Sequence, residues 1–322
     1  MSPKTKRILV VGATGQIGSE LTPSLRNKYG HDRVIATWHQ RKPDKILKSG
    51  QVEKLDATNA KNFAKIIDKY DIDTVYHLAA LISAVGEKNP SLAWRVNMNG
   101  LRNLLEISKE RDIAQIFWPS SIGVFGQGTP RVNTPNDAVM LPTTMYGVTK
   151  VAGELLCNYY FKRFGLDVRC VRYPGIISSE TLPGGGTTDY NVEMFYEAIE
   201  KKRYSCFVSE ETVLPMLYMP DCIKAAIDVM EADKSRIKWR FGYNVTGMSP
   251  SVGELASEIK KYIPDFRCEY KPDFRQKIAD SWPKSLDDSV AKKEWGWSPT
   301  YDLASVTSDM ISKLQKKLRN HV

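Results

Sequence analysis

Arg7-Ile8-Leu9-Val10-Val11, followed at once by Gly12-Ala13-Thr14-Gly15-Gln16-Ile17-Gly18, is the stretch on which the fold turns. A short run that is continuously apolar from Ile8 to Val11 is the pattern of a strand buried on both faces of a parallel sheet. The next amphipathic stretch, Ser19 to Lys28, predicts a helix whose free N–H groups and positive dipole end face an anion. Strand, glycine turn and helix in that order predict a dinucleotide whose pyrophosphate meets the helix N-terminus, with Gly12, Gly15 and Gly18 allowing the backbone to come close.

Working outward, strand patterns recur at Arg33 to Thr37, Gln51 to Leu55, Thr74 to Ala80, Gln115 to Trp118 and Asp167 to Arg172, alternating with helical ones. That alternation fills residues 7 to about 175 and predicts a doubly wound parallel sheet. Leu217 to Met230 and Phe241 to Val245 read as a helix and a strand rejoining it. The predicted organisation is a dinucleotide domain over 1–175, rejoined by about 214–247, and a smaller substrate region over 176–322. Helices are expected at Val192 to Lys201, Val252 to Tyr262 and Leu303 to Leu318. Trp282, Trp295 and Trp297 fall in an irregular stretch and are expected to be mostly core.

Ligands of such sheets bind off the carboxyl ends of the strands. Asp56, ending the third strand, is placed to meet an adenine amino group. Leu78, Ala79 and Ala80 are small enough at the end of the fourth to let a cofactor lie across the sheet edge, and Ser83 follows in the next loop. Pro119-Ser120-Ser121 ends the fifth strand. Asn97-Met98-Asn99-Gly100 lies in a helix running to Glu110 and reads as packing. After the second strand come Trp38, His39, Gln40, Arg41 and Lys42, with no carboxylate before Asp44. NAD enzymes usually place an acid there, whereas cations tolerate a 2'-phosphate, so NADP is not excluded.

Tyr146 and Lys150 stand four residues apart in a predicted helix, hence on one face, where an ammonium can favour a phenolate and make an acid/base pair. Alone, that spacing is more often that of a solvated helix turn. Ser121 has the topology to hydrogen-bond the oxygen on which Tyr146 acts. Leu182 to Tyr190, with Gly184-Gly185-Gly186-Thr187-Thr188, offers donors to a small anion and is otherwise a lid or a linker.

Composition narrows the function. The chain has 322 residues, 42% of them apolar, enough for a full core. No apolar run approaches a membrane span, and Met1 to Lys6 is too short for a leader, so a soluble cytoplasmic protein is expected. The formal charge of +9 is spread over Lys4 to Arg7, Lys234 to Arg240 and Lys313 to Arg319, which read as solvated faces and not as a nucleic-acid site. The five cysteines carry no C-x-x-C and the four histidines no ligand spacing, so reduced thiols and no metal are expected.

With the glycine turn, Ser121, Tyr146 and Lys150 in this order, the chain resembles the extended short-chain dehydrogenases/reductases over essentially its whole length. Tyr173 to Ser178, Leu182 to Tyr190 and Asp280 to Asp288 look like the short-chain type of L-threonine 3-dehydrogenase. The resemblance implies NAD-dependent oxidation of the L-threonine C3 hydroxyl to 2-amino-3-oxobutanoate, with Tyr146, Lys150 and Ser121 catalytic. It implies that Gly12, Gly15, Gln16, Ile17, Asp56, Leu78, Ala79, Ala80 and Ile176 line the cofactor. It further implies that Ser83, Gly186, Thr187, Thr188 and Trp282 position the amino acid, and a homodimer. The lack of an acid after the second strand departs from that pattern. The alternatives are a nucleotide-sugar epimerase or dehydratase, whose pocket recruits cations for two phosphates, and a non-catalytic dinucleotide-binding redox sensor, which needs no proton relay.

Overall fold

The structure, a computed structural model, describes residues 6–111, 113–182 and 184–319. Lys4 of the basic run, Pro183 of the glycine-rich loop and His321 lie outside the described residues.

The elements are, in chain order, β1 (Ile8–Val11), α1 (Gly18–Tyr29), β2 (Val34–Trp38), β3 (Val52–Lys54), α2 (Ala60–Tyr70), β4 (Thr74–His77), α3 (Ser83–Lys88), α4 (Pro90–Trp94) and, after a π-helical turn (Arg95–Asn99), α5 (Gly100–Glu110). There follow β5 (Gln115–Ser121), α6 (Met145–Phe164), β6 (Val168–Tyr173), β7 (Gly175–Ile177), α7 (Tyr190–Lys201), β8 (Arg203–Cys206), β9 (Met216–Tyr218), α8 (Met219–Glu231) and β10 (Gly242–Asn244). The remainder holds α9 (Val252–Tyr262), β11 (Arg267–Tyr270), α10 (Phe274–Ser281), α11 (Ser289–Trp295) and α12 (Leu303–Arg319).

Seven parallel strands form one sheet in the order β10-β6-β5-β4-β1-β2-β3, a doubly wound, Rossmann-like α/β arrangement with a smaller C-terminal part. All four residues of β1 are buried, as their apolar run requires of a central strand covered on both faces. Its two neighbours are reached by crossovers leaving in opposite directions, so the order reverses between β1 and β4. A crevice therefore opens beyond the carboxyl ends of β1 and β4, where the glycine turn lies. Separate hydrophobic clusters cover the two sheet faces, and a third fills the C-terminal part, built from α7, α9, α12 and the Tyr204 to Tyr218 segment.

Several expectations need correction. The fourth strand ends at His77, because Leu78 to Ala80 leave the ladder at the crevice. Leu217 to Met230 is not one helix: Met216–Tyr218 is a strand that pairs with β7, and α8 starts only at Met219, with Pro220 in its first turn. The stretch read as irregular contains β11, α10 and α11. Trp295 and Trp297 are core, packing at 5.6 Å between ring centres.

Candidate active site

A cavity of about 330 Å³ lies along the crevice, from the glycine turn to Trp282. Its floor begins with Gly12, whose φ of +85° suits glycine, and Gly18, where a Cβ would fall 2.3 Å from the Gly12 carbonyl oxygen. Such a turn, with glycine at three of its seven positions and feeding the N-terminus of α1, leaves the backbone open to a pyrophosphate. The residues present thus fit a dinucleotide.

At the other end of the sheet edge, Ser121 closes β5 and its Oγ accepts the Gly123 N–H at 3.1 Å. Tyr146 occupies the first turn of α6, which Thr144 caps by accepting the Gly147 N–H at 3.1 Å. Helix and turn touch so closely that a Cβ on Gly147 would stand 2.2 Å from the Gly123 carbonyl oxygen. Tyr146 is thereby pressed beside Ser121.

The charges at this site do not behave as the spacing of Tyr146 and Lys150 suggests. Burial pushes the phenol above its ordinary value, and the Ser121 hydroxyl pulls it part of the way back. Lys150 Nζ sits 5.5 Å from the centre of the Tyr146 ring and donates instead to the Pro119 carbonyl at 2.6 Å. Burial lowers this ammonium to about 8, against the pull of Cys170, Cys157 and Glu154. Sharing a helix face gives Lys150 proximity, but the end of β5 decides where its ammonium goes.

Two supporting groups escaped the sequence reading. Glu154, one turn beyond Lys150, makes a fully buried bidentate pair with Arg172 of β6, at 2.7 and 2.8 Å, and accepts the Ser120 hydroxyl at 2.5 Å. Burial alone would raise the Glu154 carboxyl, yet Arg172 and Ser120 hold it below the ordinary range. Asn97, read as packing, accepts from Leu81 N at 2.8 Å, donates to Leu81 O at 3.0 Å and donates to Thr149 Oγ1 at 3.0 Å. It ties the loop after β4 to the helix bearing Tyr146. The π-helical turn that places it carries no sequence signal we recognise.

Of the expected cofactor residues, Gly12, Gly15, Gln16, Ile17, Gly18, Leu78, Ala80, Tyr146, Lys150 and Ile176 line the cavity. Asp56 and Ala79 do not. Asp56 Oδ1 accepts from Thr58 N and Oγ1 at 2.9 and 2.8 Å, and Ala79 lies beneath Gly12. All the expected substrate residues, Ser83, Ser121, Tyr146, Gly186, Thr187, Thr188 and Trp282, line it together. Asp189 spends its carboxylate on the Gly185 and Gly186 N–H groups of its own loop. Lys150 and Asp189 are the only charged residues among the described lining. Among the described residues, no group of three or more His, Cys, Asp or Glu is arranged to hold a metal ion, and no helix is long and apolar enough to cross a membrane.

Fold and site define an extended short-chain dehydrogenase/reductase, and the chain belongs to the NAD dependent epimerase/dehydratase family, whose model matches residues 8–244. An uncharacterized epimerase/dehydratase of Staphylococcus haemolyticus is 47% identical over 317 residues, covering 98% of this chain and 99% of its own. Among solved structures, L-threonine dehydrogenase from Clostridium difficile is 52% identical with a TM-score of 0.94, over 97% of this chain and 98% of that one. L-threonine dehydrogenase from Phytophthora infestans is 47% identical with a TM-score of 0.93, over 97% and 100%.

Proposed function

We propose that the chain oxidises the C3 hydroxyl of L-threonine to 2-amino-3-oxobutanoate with a nicotinamide dinucleotide, the family's description naming NAD. The observation that carries this reading is the cavity lining. Ser121 and Tyr146 meet a hydroxyl-rich wall of Ser83, Thr187 and Thr188, with Trp282 beside it and no arginine. Neutral hydroxyls, which donate to a carboxylate and accept from an ammonium, suit the charged ends of a small amino acid, whereas a nucleotide diphosphate calls for cations to match its phosphates.

In this reading Gly12, Gly15, Gln16, Ile17 and Gly18 hold the pyrophosphate, while Leu78, Ala80 and Ile176 flank the rest of the dinucleotide. Bound there, the oxidised cofactor supplies a hydride acceptor and a positive ring that favours the phenolate. Ser121 holds the C3 oxygen against Tyr146, whose oxygen takes the hydroxyl proton. Lys150 would hold the ribose hydroxyls, and Ser83, Thr187 and Thr188 would orient the carboxylate and ammonium. Glu154 and Arg172 keep the Ser120-Ser121 strand end in register with the helix.

The test follows absorbance of the reduced nicotinamide on offering L-threonine, D-threonine, serine and 3-hydroxybutyrate, with UDP-galactose followed by chromatography. L-Threonine alone should be oxidised at a substantial rate. Conversion of UDP-galactose with L-threonine inert would turn the reading to a nucleotide-sugar enzyme.

A further inference from the structure

We infer that the adenosine-ribose end of the site is built for a 2'-phosphate, so that NADP is bound more tightly than NAD; this rests on the dinucleotide reading above. The end of β2 is laced to the glycine turn, Thr37 O accepting Ala13 N at 2.9 Å and Thr37 Oγ1 accepting Gly12 N at 3.3 Å. The side chains that follow Thr37 therefore border the ribose that a pyrophosphate on this turn carries. Recognition of a free 2'-hydroxyl calls for an acceptor there, usually a carboxylate. The first residue is Trp38, whose indole N–H only donates, and the next three are His39, Gln40 and Arg41.

Asp44, the first acid after β2, and Asp56, just beyond β3, each have one carboxylate oxygen engaged elsewhere. Asp44 Oδ1 accepts Leu47 N at 2.8 Å and so caps the following turn. Asp56 is held by Thr58 and has its other oxygen 3.8 Å from His39 Nε2. Cations, by contrast, stand unspent. Lys54 Nζ lies 5.2 Å over the Trp38 ring. Arg41 and Lys42 are exposed and enter no salt bridge among the described residues, although the groove that Arg41 lines also carries Glu180, Glu193, Glu197 and Glu200. A phosphomonoester brings between one and two further negative charges and acceptor oxygens that a guanidinium grips in pairs.

Calorimetric binding to the whole chain tests this without catalysis, using NAD+, NADP+, 5'-AMP and adenosine 2',5'-bisphosphate. NADP+ should bind about tenfold more tightly than NAD+, the bisphosphate should show the same advantage over 5'-AMP, and added salt should shrink both. Arg41→Ala should cost NADP+ roughly tenfold and leave NAD+ within about twofold, and Trp38→Asp should invert the preference. Tighter binding of NAD+ than NADP+ by the wild-type chain, or equal loss of both on Arg41→Ala, would overturn the inference and leave the dinucleotide reading standing. Failure of both dinucleotides to bind would overturn the two together.

Discussion

Ser83 Oγ and Thr187 Oγ1 lie 3.2 Å apart across 104 residues of sequence, joining the first residue of α3, where a loop position was expected, to the glycine-rich loop at the wall of the cavity. Thr187→Val keeps the shape and removes this partner. On the proposed reading, loss of one neutral hydrogen bond at the substrate should raise the KM for L-threonine about tenfold and change kcat much less. Initial rates at saturating dinucleotide measure this; an unaltered KM would place the substrate elsewhere.

On the proposed reading, Tyr146→Phe removes the proton acceptor while the ring keeps its place beside Gly123. Turnover should fall by roughly two to four orders of magnitude, with dinucleotide affinity nearly unchanged. Stopped-flow rates paired with calorimetric binding separate the two effects, and survival of most of the activity would remove Tyr146 from the chemistry.

Glu154 and Arg172 are buried at no more than 1% side-chain exposure, so removing either partner strands a charge. Glu154→Gln should cost about 3–5 kcal/mol of stability. The double variant Glu154→Leu with Arg172→Met should regain much of that loss in chemical denaturation, because no uncompensated charge is left inside. A single variant as stable as the parent would show the pair to be idle.

His77 has both ring nitrogens without a partner, and burial, aided by the Lys150 charge, lowers it to about 3. The folded state thus holds the imidazole neutral, while the unfolded chain takes up a proton near pH 6.5. Its share of stability is complete above that pH and is lost as the pH falls toward 3, at about 1.4 kcal/mol per pH unit. Between pH 7 and pH 4, His77→Leu should therefore lose about 3 kcal/mol less stability than the parent. Urea midpoints at the two pH values give the comparison, and parallel losses would exclude His77 as a source of acid lability.

The main sheet was legible because each of its strands is a local signal. Ile8 to Val11 declares itself by four adjacent apolar residues, and the glycine turn by its spacing. β7 and β9 were not legible, since each is a three-residue strand abutting a longer element, β6 or α8, into whose pattern it merges. The same holds for the site. Tyr146 and Lys150 could be found by helical spacing, whereas Glu154 and Arg172 meet through a helix and a strand, and spacing along one element cannot report a meeting between two. Where Lys150 sends its ammonium was beyond reach for a related reason, because Pro119 offers it a backbone carbonyl, which every residue possesses.

Tyr146, Lys150 and Glu154 are stacked at successive turns of a single rod, α6. An engineer who randomises these positions to retune the chemistry would also be cutting the chain's internal scaffolding, and would lose soluble material before learning anything about selectivity. Gly186, Thr187, Thr188 and Trp282 hang from other parts of the frame, so directed evolution toward new amino alcohols should begin there.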